Sequence, residues 1–219
     1  ALGANTTGSR NTALGTFALD ANVTGSANTA VGYNALSAGT ADGSTAFGKD
    51  ALELCTTGVN TAVGGNALAA VTTGGGNTAM GQDALTLNTA IYNTGVGAST
   101  LVANTTGERN SALGSHTLNA NTTGSYNVAI GQASLYVNTT GDSNTAVGRD
   151  SLGANTTASN NTAVGQQALY VNTTGANNTA LGNGAMIANT TGVQNVPAGD
   201  AALDANTTGH YNVALGKSA

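Results

Sequence analysis

A repeat of about seventeen residues runs through the whole 219-residue chain and restricts its possible folds more than any other feature. Nine of the twelve intervals between repeats are 17 residues long and three are 16, and the consensus is N-T-A-(V/L)-G-x-x-A-L-x-(A/V/L)-N-T-T-G-x-x. The repeats start at Asn11, Asn28, Ser44, Asn60, Asn77, Asn93, Asn110, Asn127, Asn144, Asn161, Asn178, Asn195 and Asn212. A short fixed period is typical of a solenoid, in which each repeat stacks on the previous one. The seventeen consensus places are called positions 1 to 17 below.

The repeats extend to both ends of the chain. Twelve full repeats begin at residue 11, and partial repeats flank them, with Ala1 and Ala219 both at position 8. Repeat proteins normally carry polar capping units at their ends. We therefore expect residues 1–219 to form a single repeat array taken from a longer fibre.

The residue pattern within one repeat predicts strands and turns. Positions 8 to 13 alternate between two kinds of residue, which is the period-two signal of a strand, and positions 1 to 4 indicate a second, shorter strand. Glycine at positions 5 and 15 predicts corners with a positive φ or a tight bend. Two or so glycines and several Asn and Thr per repeat disfavour a helix. The predicted fold is all-β: a β-solenoid, or β-roll, with coils of about 17 residues.

Charged residues are confined to a few positions of the repeat. They make up 7% of the chain, and all five Lys and Arg lie at position 6 or 17. Because a buried unpaired charge is costly, the positions without charge are predicted to be buried or stacked. The predicted core is Leu at position 9 and Val or Leu at position 4, as in Leu135, Leu152, Leu169, Val147, Val164 and Leu181. A ladder of stacked asparagines is predicted at position 12, formed by Asn121, Asn138, Asn155, Asn172, Asn189 and Asn206.

Positions 3 and 8 are small in nearly every repeat, and most of them are alanine. If the large apolar residues fill the core, these alanines lie on the opposite face, where they suit close packing against another chain. The core of one chain alone is thin, with about two large apolar side chains per coil. We therefore expect a homo-oligomer, an intertwined or side-by-side homotrimer.

The composition argues against several functions. A net charge of −5 with five basic residues disfavours nucleic-acid binding. No apolar run approaches the eighteen residues of a membrane span. Cys55, His116 and His210 lie in different coils and do not form a catalytic or metal-binding set. We expect no enzymatic activity, no cofactor and no metal.

Some surface features leave other roles open. Tyr33, Tyr136 and Tyr170 occupy variable positions and are candidate contact residues, and the last two share position 10. The N-T-T triplets match the acceptor motif for N-linked glycans, although stacking explains the same letters. The stretch from Gly39 to Gly76 loses the position-12 asparagine three times, which indicates either repeat decay or a segment that carries interactions.

Two segments resemble known repeats. "NVAIGQASL" (127–135) and "NTAVGYNAL" (28–36) resemble the head-domain repeats of trimeric autotransporter adhesins. The longer unit NTAVGxxAL…NTTG resembles repeat arrays of tail-fibre-type proteins of phages and bacteria. This resemblance implies a trimeric, left-handed β-roll that serves as a rigid surface stalk or receptor-binding shaft.

The expected function follows from the repeat and the resemblance together. We expect a structural fibre or shaft of a surface adhesin, tail fibre or extracellular filament, located outside the cell, on its surface or on a virion. Its expected partners are copies of itself and an unidentified cell-surface, glycan or matrix receptor. One alternative is a binding module that uses a flat solenoid face for ice or glycans. Another is a self-polymerising matrix filament.

Overall fold

The computed structural model describes residues 1–219 as two compact units, which we call the N-terminal unit (Ala1–Arg109) and the C-terminal unit (Asn110–Ala219). Each unit contains one three-residue strand per repeat, at positions 2 to 4, and turns elsewhere, with no helix. The N-terminal unit holds β1 (Thr12–Leu14), β2 (Thr29–Val31), β3 (Thr45–Phe47), β4 (Thr61–Val63), β5 (Thr78–Met80) and β6 (Thr94–Val96). The C-terminal unit holds β7 (Ser111–Leu113), β8 (Val128–Ile130), β9 (Thr145–Val147), β10 (Thr162–Val164), β11 (Thr179–Leu181), β12 (Val196–Ala198) and β13 (Val213–Leu215).

Within each unit, consecutive strands pair in parallel and in register. Thr12 lies beside Thr29 in the N-terminal unit, and Thr145 lies beside Thr162 in the C-terminal unit. Equal positions of successive repeats therefore meet, and each unit is a parallel β-solenoid with coils of about 17 residues, as the repeat predicts. Only Leu181 and Ala198 pair between β11 and β12, where Pro197 has no N–H to donate.

The second predicted strand, over positions 8 to 13, is wrong. These residues form turns, because the leucine at position 9 has a left-handed backbone, with φ of 50° at Leu135 and 49° at Leu152. Hydrogen bonds between coils nevertheless continue here, since the Leu135 N–H donates to the Ser151 carbonyl at 3.0 Å. Stacking therefore holds around the coil, although only positions 2 to 4 form a regular strand.

The two conserved corners of the repeat use glycine for different reasons. The positive φ predicted at position 5 is confirmed, for example at Gly148, where φ is 130°. Most glycines at position 15 do not have a positive φ, and Gly58, with φ of 89°, is an exception. There a side chain would collide with the next coil, as at Gly141, where an added Cβ would meet the Ala158 carbonyl oxygen.

The interior of the coil is filled by leucine at position 9 together with the alanines of positions 3 and 8. Leu135, Leu152 and Leu169 are completely buried. At Gly95, in position 3, an added Cβ would lie 3.3 Å from the Leu85 side chain, so the small side chains pack directly on these leucines. The predicted oligomer contact through a surface file of alanines is therefore wrong, because the alanines lie inside the chain's own core.

Position 4 is consequently not part of the core. Val147 is half-buried, while Val164 and Leu181 are 39% and 41% exposed. In a three-residue strand the central side chain points opposite to its two neighbours. Since the alanine at position 3 points inward, positions 2 and 4 point outward.

Asparagines supply the polar part of the interior. In the C-terminal unit, each position-12 asparagine donates through Nδ2 to Oδ1 of the one before it, at 2.8–3.3 Å. The same Nδ2 donates to the position-15 carbonyl, as Asn138 does to Gly141 at 3.0 Å. A second column forms at position 1, where backbone N–H groups donate to the preceding side-chain oxygen, as Asn144 does to Asn127 at 2.9 Å. Buried amides are thus paired, which avoids the cost of unsatisfied polar groups.

Candidate functional site

The polar side chains do not converge on a reactive centre. His116 contacts the neighbouring Ser115, and His210 accepts a hydrogen bond from the Val193 N–H at 3.1 Å. The structure has no pocket and no group of three or more His, Cys, Asp or Glu that could hold a metal ion. The most distinctive features of the molecule are therefore on its surface.

Cys55 lies in the interior, at position 12. Its thiol donates to the Thr57 carbonyl at 3.3 Å, and the Asn60 amide lies 3.7 Å from the sulfur. Burial raises the pKa of the Cys55 thiol, while the hydrogen bond from Asn60 opposes that shift. A buried thiol whose neutral form is favoured is a poor nucleophile.

A regular apolar surface runs along the outside of the parallel strands. We call the side chains at positions 2 and 4 of each unit its outer sheet face. Position 2 is threonine in every strand of the N-terminal unit, while the C-terminal unit has valine there at Val128, Val196 and Val213. Position 4 forms a row of apolar side chains in both units, and several are about half exposed, including Phe47 at 56%, Met80 at 45% and Leu113 at 50%.

No charge interrupts these faces. Positions 1 to 5 contain no Asp, Glu, Lys or Arg in any repeat. The nearest charges along the chain are at positions 6 and 17, and two of those at position 6 pair with the acid that follows them: Lys49 with Asp50, and Arg149 with Asp150 at 3.5 Å. An uncharged, regular, apolar surface of this kind marks an interaction site more often than a scattered exposed leucine does.

The three tyrosines predicted as contact residues occur in two settings. Tyr33 is 47% exposed and packs edge-to-face on Phe17, with ring centroids 5.9 Å apart. Tyr136 and Tyr170 are both exposed, two coils apart. The Tyr170 ring covers the intervening Gly153, where an added Cβ would lie 2.8 Å from the ring. The structure does not bring Tyr33 together with the other two.

The N-T-T triplets have a structural role that competes with glycosylation. The asparagines of these triplets at Asn121, Asn138 and Asn155 are fully buried, and their Nδ2 atoms, the atoms that carry an N-linked glycan, donate into the ladder. A glycan on such an atom would have to break these bonds and leave the coil interior. The folded C-terminal unit therefore cannot accept glycans at these asparagines.

The sequence pattern predicts the buried leucines and asparagines, but it does not predict that the outer sheet faces are exposed.

No helix long and apolar enough to cross a bilayer occurs. Comparison of the chain with protein-family models, curated proteins and solved structures gives no match. The outer sheet faces are therefore the candidate functional site.

Proposed function

We propose that this chain is a structural fibre segment that associates with copies of itself through its outer sheet faces. The observation that carries the proposal is the continuous row of exposed apolar side chains at position 4, on strands held in register by the stacked coils. The hydrogen bonds between successive strands hold this row in register without a partner chain. Burying the row against a second chain would remove its apolar surface from water, at about 25 cal/mol per Å².

The rest of the molecule supports a mechanical role. Within each unit, backbone and side-chain hydrogen bonds join each coil to the next, and no charged residue is fully buried. The resemblance to adhesin and tail-fibre repeats favours a stiff shaft that holds a binding tip away from a surface. The proposed location is outside the cell, on its surface or on a virion, with an unidentified receptor as a further partner; the resemblance alone supports this part.

The proposed contact surface differs from the one that the sequence suggested. The resemblance implies three, but the alanines that suggested a central trimer contact are buried inside each coil. The outer sheet face replaces them as the proposed contact.

Self-association can be tested by sedimentation and electron microscopy on the 219-residue protein. We expect oligomers or rods in the parent protein, and a monomer when Phe47→Asp places a charge on the face. Val59→Asp is the matched control, since Val59 is 58% exposed but lies outside the strands. A parent protein that stays monomeric at all concentrations contradicts the proposal.

Ice binding is the second candidate. The unbroken row of six threonines at position 2 of the N-terminal unit favours it, because a flat surface with evenly spaced hydroxyl and methyl groups matches an ordered water layer. The neighbouring row argues against it, since Phe47 and Met80 project beyond Val63, which lies between them, and make the face uneven. If the parent protein is monomeric and shows thermal hysteresis, and the Phe47→Asp variant shows none, the ice-binding candidate is favoured.

A further inference from the structure

The position-4 row of the N-terminal unit alternates in size along the solenoid. In chain order it consists of Leu14, Val31, Phe47, Val63, Met80 and Val96. The three large side chains are 67%, 56% and 45% exposed, whereas the three valines that follow them are partly buried. The row is thus a series of projections separated by shallow gaps.

The register of the strands places these six residues on one line. Leu14 pairs with Val31, Val31 with Phe47, and the series continues to Val96. Successive strands lie about 4.8 Å apart, so the large side chains recur about every 10 Å. That spacing leaves room for one large side chain of another surface in each gap.

The alternation is self-complementary in only one of the two simple face-to-face arrangements. When a second copy runs in the opposite direction, the first coil faces the sixth, the second faces the fifth and the third faces the fourth. Leu14 then meets Val96, Met80 meets Val31 and Phe47 meets Val63, so every large residue faces a valine. When the copies run in the same direction and in register, large residues face large ones and valines face valines, which leaves clashes beside voids.

The C-terminal unit does not have this property. Its position-4 row reads Leu113, Ile130, Val147, Val164, Leu181, Ala198 and Leu215. Large and small residues do not alternate there, and reversal places Leu113 against Leu215. The complementary pattern therefore belongs to the N-terminal unit alone.

We propose that the outer sheet face of the N-terminal unit binds the same face of a second copy, running antiparallel, about a two-fold axis between the third and fourth coils. This inference rests on the proposed self-association and specifies its partner face and direction. A two-fold pair uses the same patch on both copies, which is the commonest symmetry of homo-oligomers. The absence of charge on the face allows it to meet itself without repulsion.

Cross-linking of variants that each carry one added cysteine tests the direction. Leu14→Cys and Val96→Cys change residues at opposite ends of the row, so in the antiparallel pair residue 14 of one copy faces residue 96 of the other. With a short bis-maleimide, we expect a mixture of the two variants to give at least ten times more covalent dimer than either variant alone. The parent protein is the control, because its one thiol, Cys55, is buried.

A second pair, Val31→Cys mixed with Met80→Cys, repeats the test in case one of the first variants does not fold. Self-cross-linking of Leu14→Cys alone would show parallel chains, including the parallel trimer that the resemblance implies, and would overturn the inference. Oligomers by sedimentation with no cross-link in either mixture would also overturn it, while leaving the proposed function in place. A monomeric protein without cross-links would overturn both.

Discussion

The two units build the same coil with different interiors. In the C-terminal unit, position 12 is asparagine in all six full repeats, and each asparagine bonds to the next. In the N-terminal unit the same position holds Gly39, Cys55 and Val71 in three consecutive repeats, yet β2 to β5 stack in the same parallel register. The position-12 ladder is therefore not needed to form a coil. What the units share is the buried leucine, the small residues around it and the column at position 1.

The interrupted ladder leaves a visible defect. Asn22 Oδ1 is the one buried side-chain oxygen or nitrogen in the protein without a hydrogen-bond partner, and it precedes Gly39 in the column. In the position-1 column, by contrast, Ser44 replaces asparagine without a break, since the Asn60 N–H donates to Ser44 Oγ at 3.2 Å. We infer that the N-terminal unit is the less stable of the two, because a lone buried acceptor costs about 1–3 kcal/mol.

The largest expected effect concerns the core that both units share. Leu152→Ala should lower the free energy of unfolding of the C-terminal unit by about 3 kcal/mol, because it leaves a cavity under fully buried side chains. Val164→Ala, on the exposed row, should cost less than about 1 kcal/mol. Urea unfolding of both variants measures the difference. Equal losses would mean that the assignment of position 9 to the interior and of position 4 to the surface is wrong.

The next largest effect is expected when the position-12 asparagine column of the C-terminal unit is interrupted in the same way. Asn155→Val places the residue type of Val71 into the intact ladder, removes the donor to Asn138 Oδ1 and removes an acceptor of Asn172 Nδ2. We expect a loss of about 2 kcal/mol.

Asn183→Ala is the matched control for this substitution, since Asn183 is an exposed asparagine outside both columns. It should change the unfolding free energy by less than about 0.5 kcal/mol. If Asn155→Val were as mild as the control, the ladder would contribute nothing to stability, and the two units should then unfold together.

A smaller effect is expected from partial repair of the N-terminal unit. Gly39→Asn offers Asn22 Oδ1 a donor, but its Cβ would lie 2.9 Å from the Leu36 side chain, which must shift. Gly39→Ala meets the same crowding and provides no donor. The asparagine variant should therefore be more stable than the alanine variant by about 1 kcal/mol. Thermal unfolding of the two variants checks this, and an equal or lower stability of Gly39→Asn would contradict it.

The smallest effect concerns the thiol, which only the N-terminal unit contains. Burial raises the pKa of Cys55, so the folded state holds the thiol proton more tightly than the unfolded chain does. The stability that this adds is present below the ordinary thiol pKa of about 8.5 and is lost as pH rises above it. We expect the unfolding midpoint of the parent to fall between pH 7 and pH 9.5 by more than that of Cys55→Ala. Parallel curves for the two proteins would contradict the assignment.

The repeat of about 17 residues and the recurring leucine at position 9 were enough to predict the solenoid, because stacked coils require the same residue type at the same position of each repeat. They were not enough to orient the side chains. The prediction that positions 8 to 13 form a strand assumed an extended backbone, whereas Leu135 and Leu152 have a positive φ. Leucine rarely adopts this conformation, so its presence in the sequence does not indicate one. Asn and Asp at position 7, such as Asn66 and Asp150, are a usable signal for a left-handed turn, and both have positive φ.

The outer sheet face was missed for a related reason. Position 4 looks like core because Val and Leu are most often buried. The side chain at position 3 packs on the buried leucines, as the 3.3 Å between a Cβ added at Gly95 and the Leu85 side chain indicates, so the large residue at position 4 of the same strand points outward. The residue types of a three-residue strand do not indicate which of its two faces is buried.

Exchange of asparagine side-chain amide protons with deuterium, followed by NMR, tests most directly whether equal positions of successive coils meet. The Nδ2 protons of Asn138, Asn155 and Asn172 should exchange at least about a hundredfold more slowly than those of the exposed Asn183, because each is bonded to the coil before it. The same rate at all four asparagines would show that these coils are not stacked, and the account would fail with them.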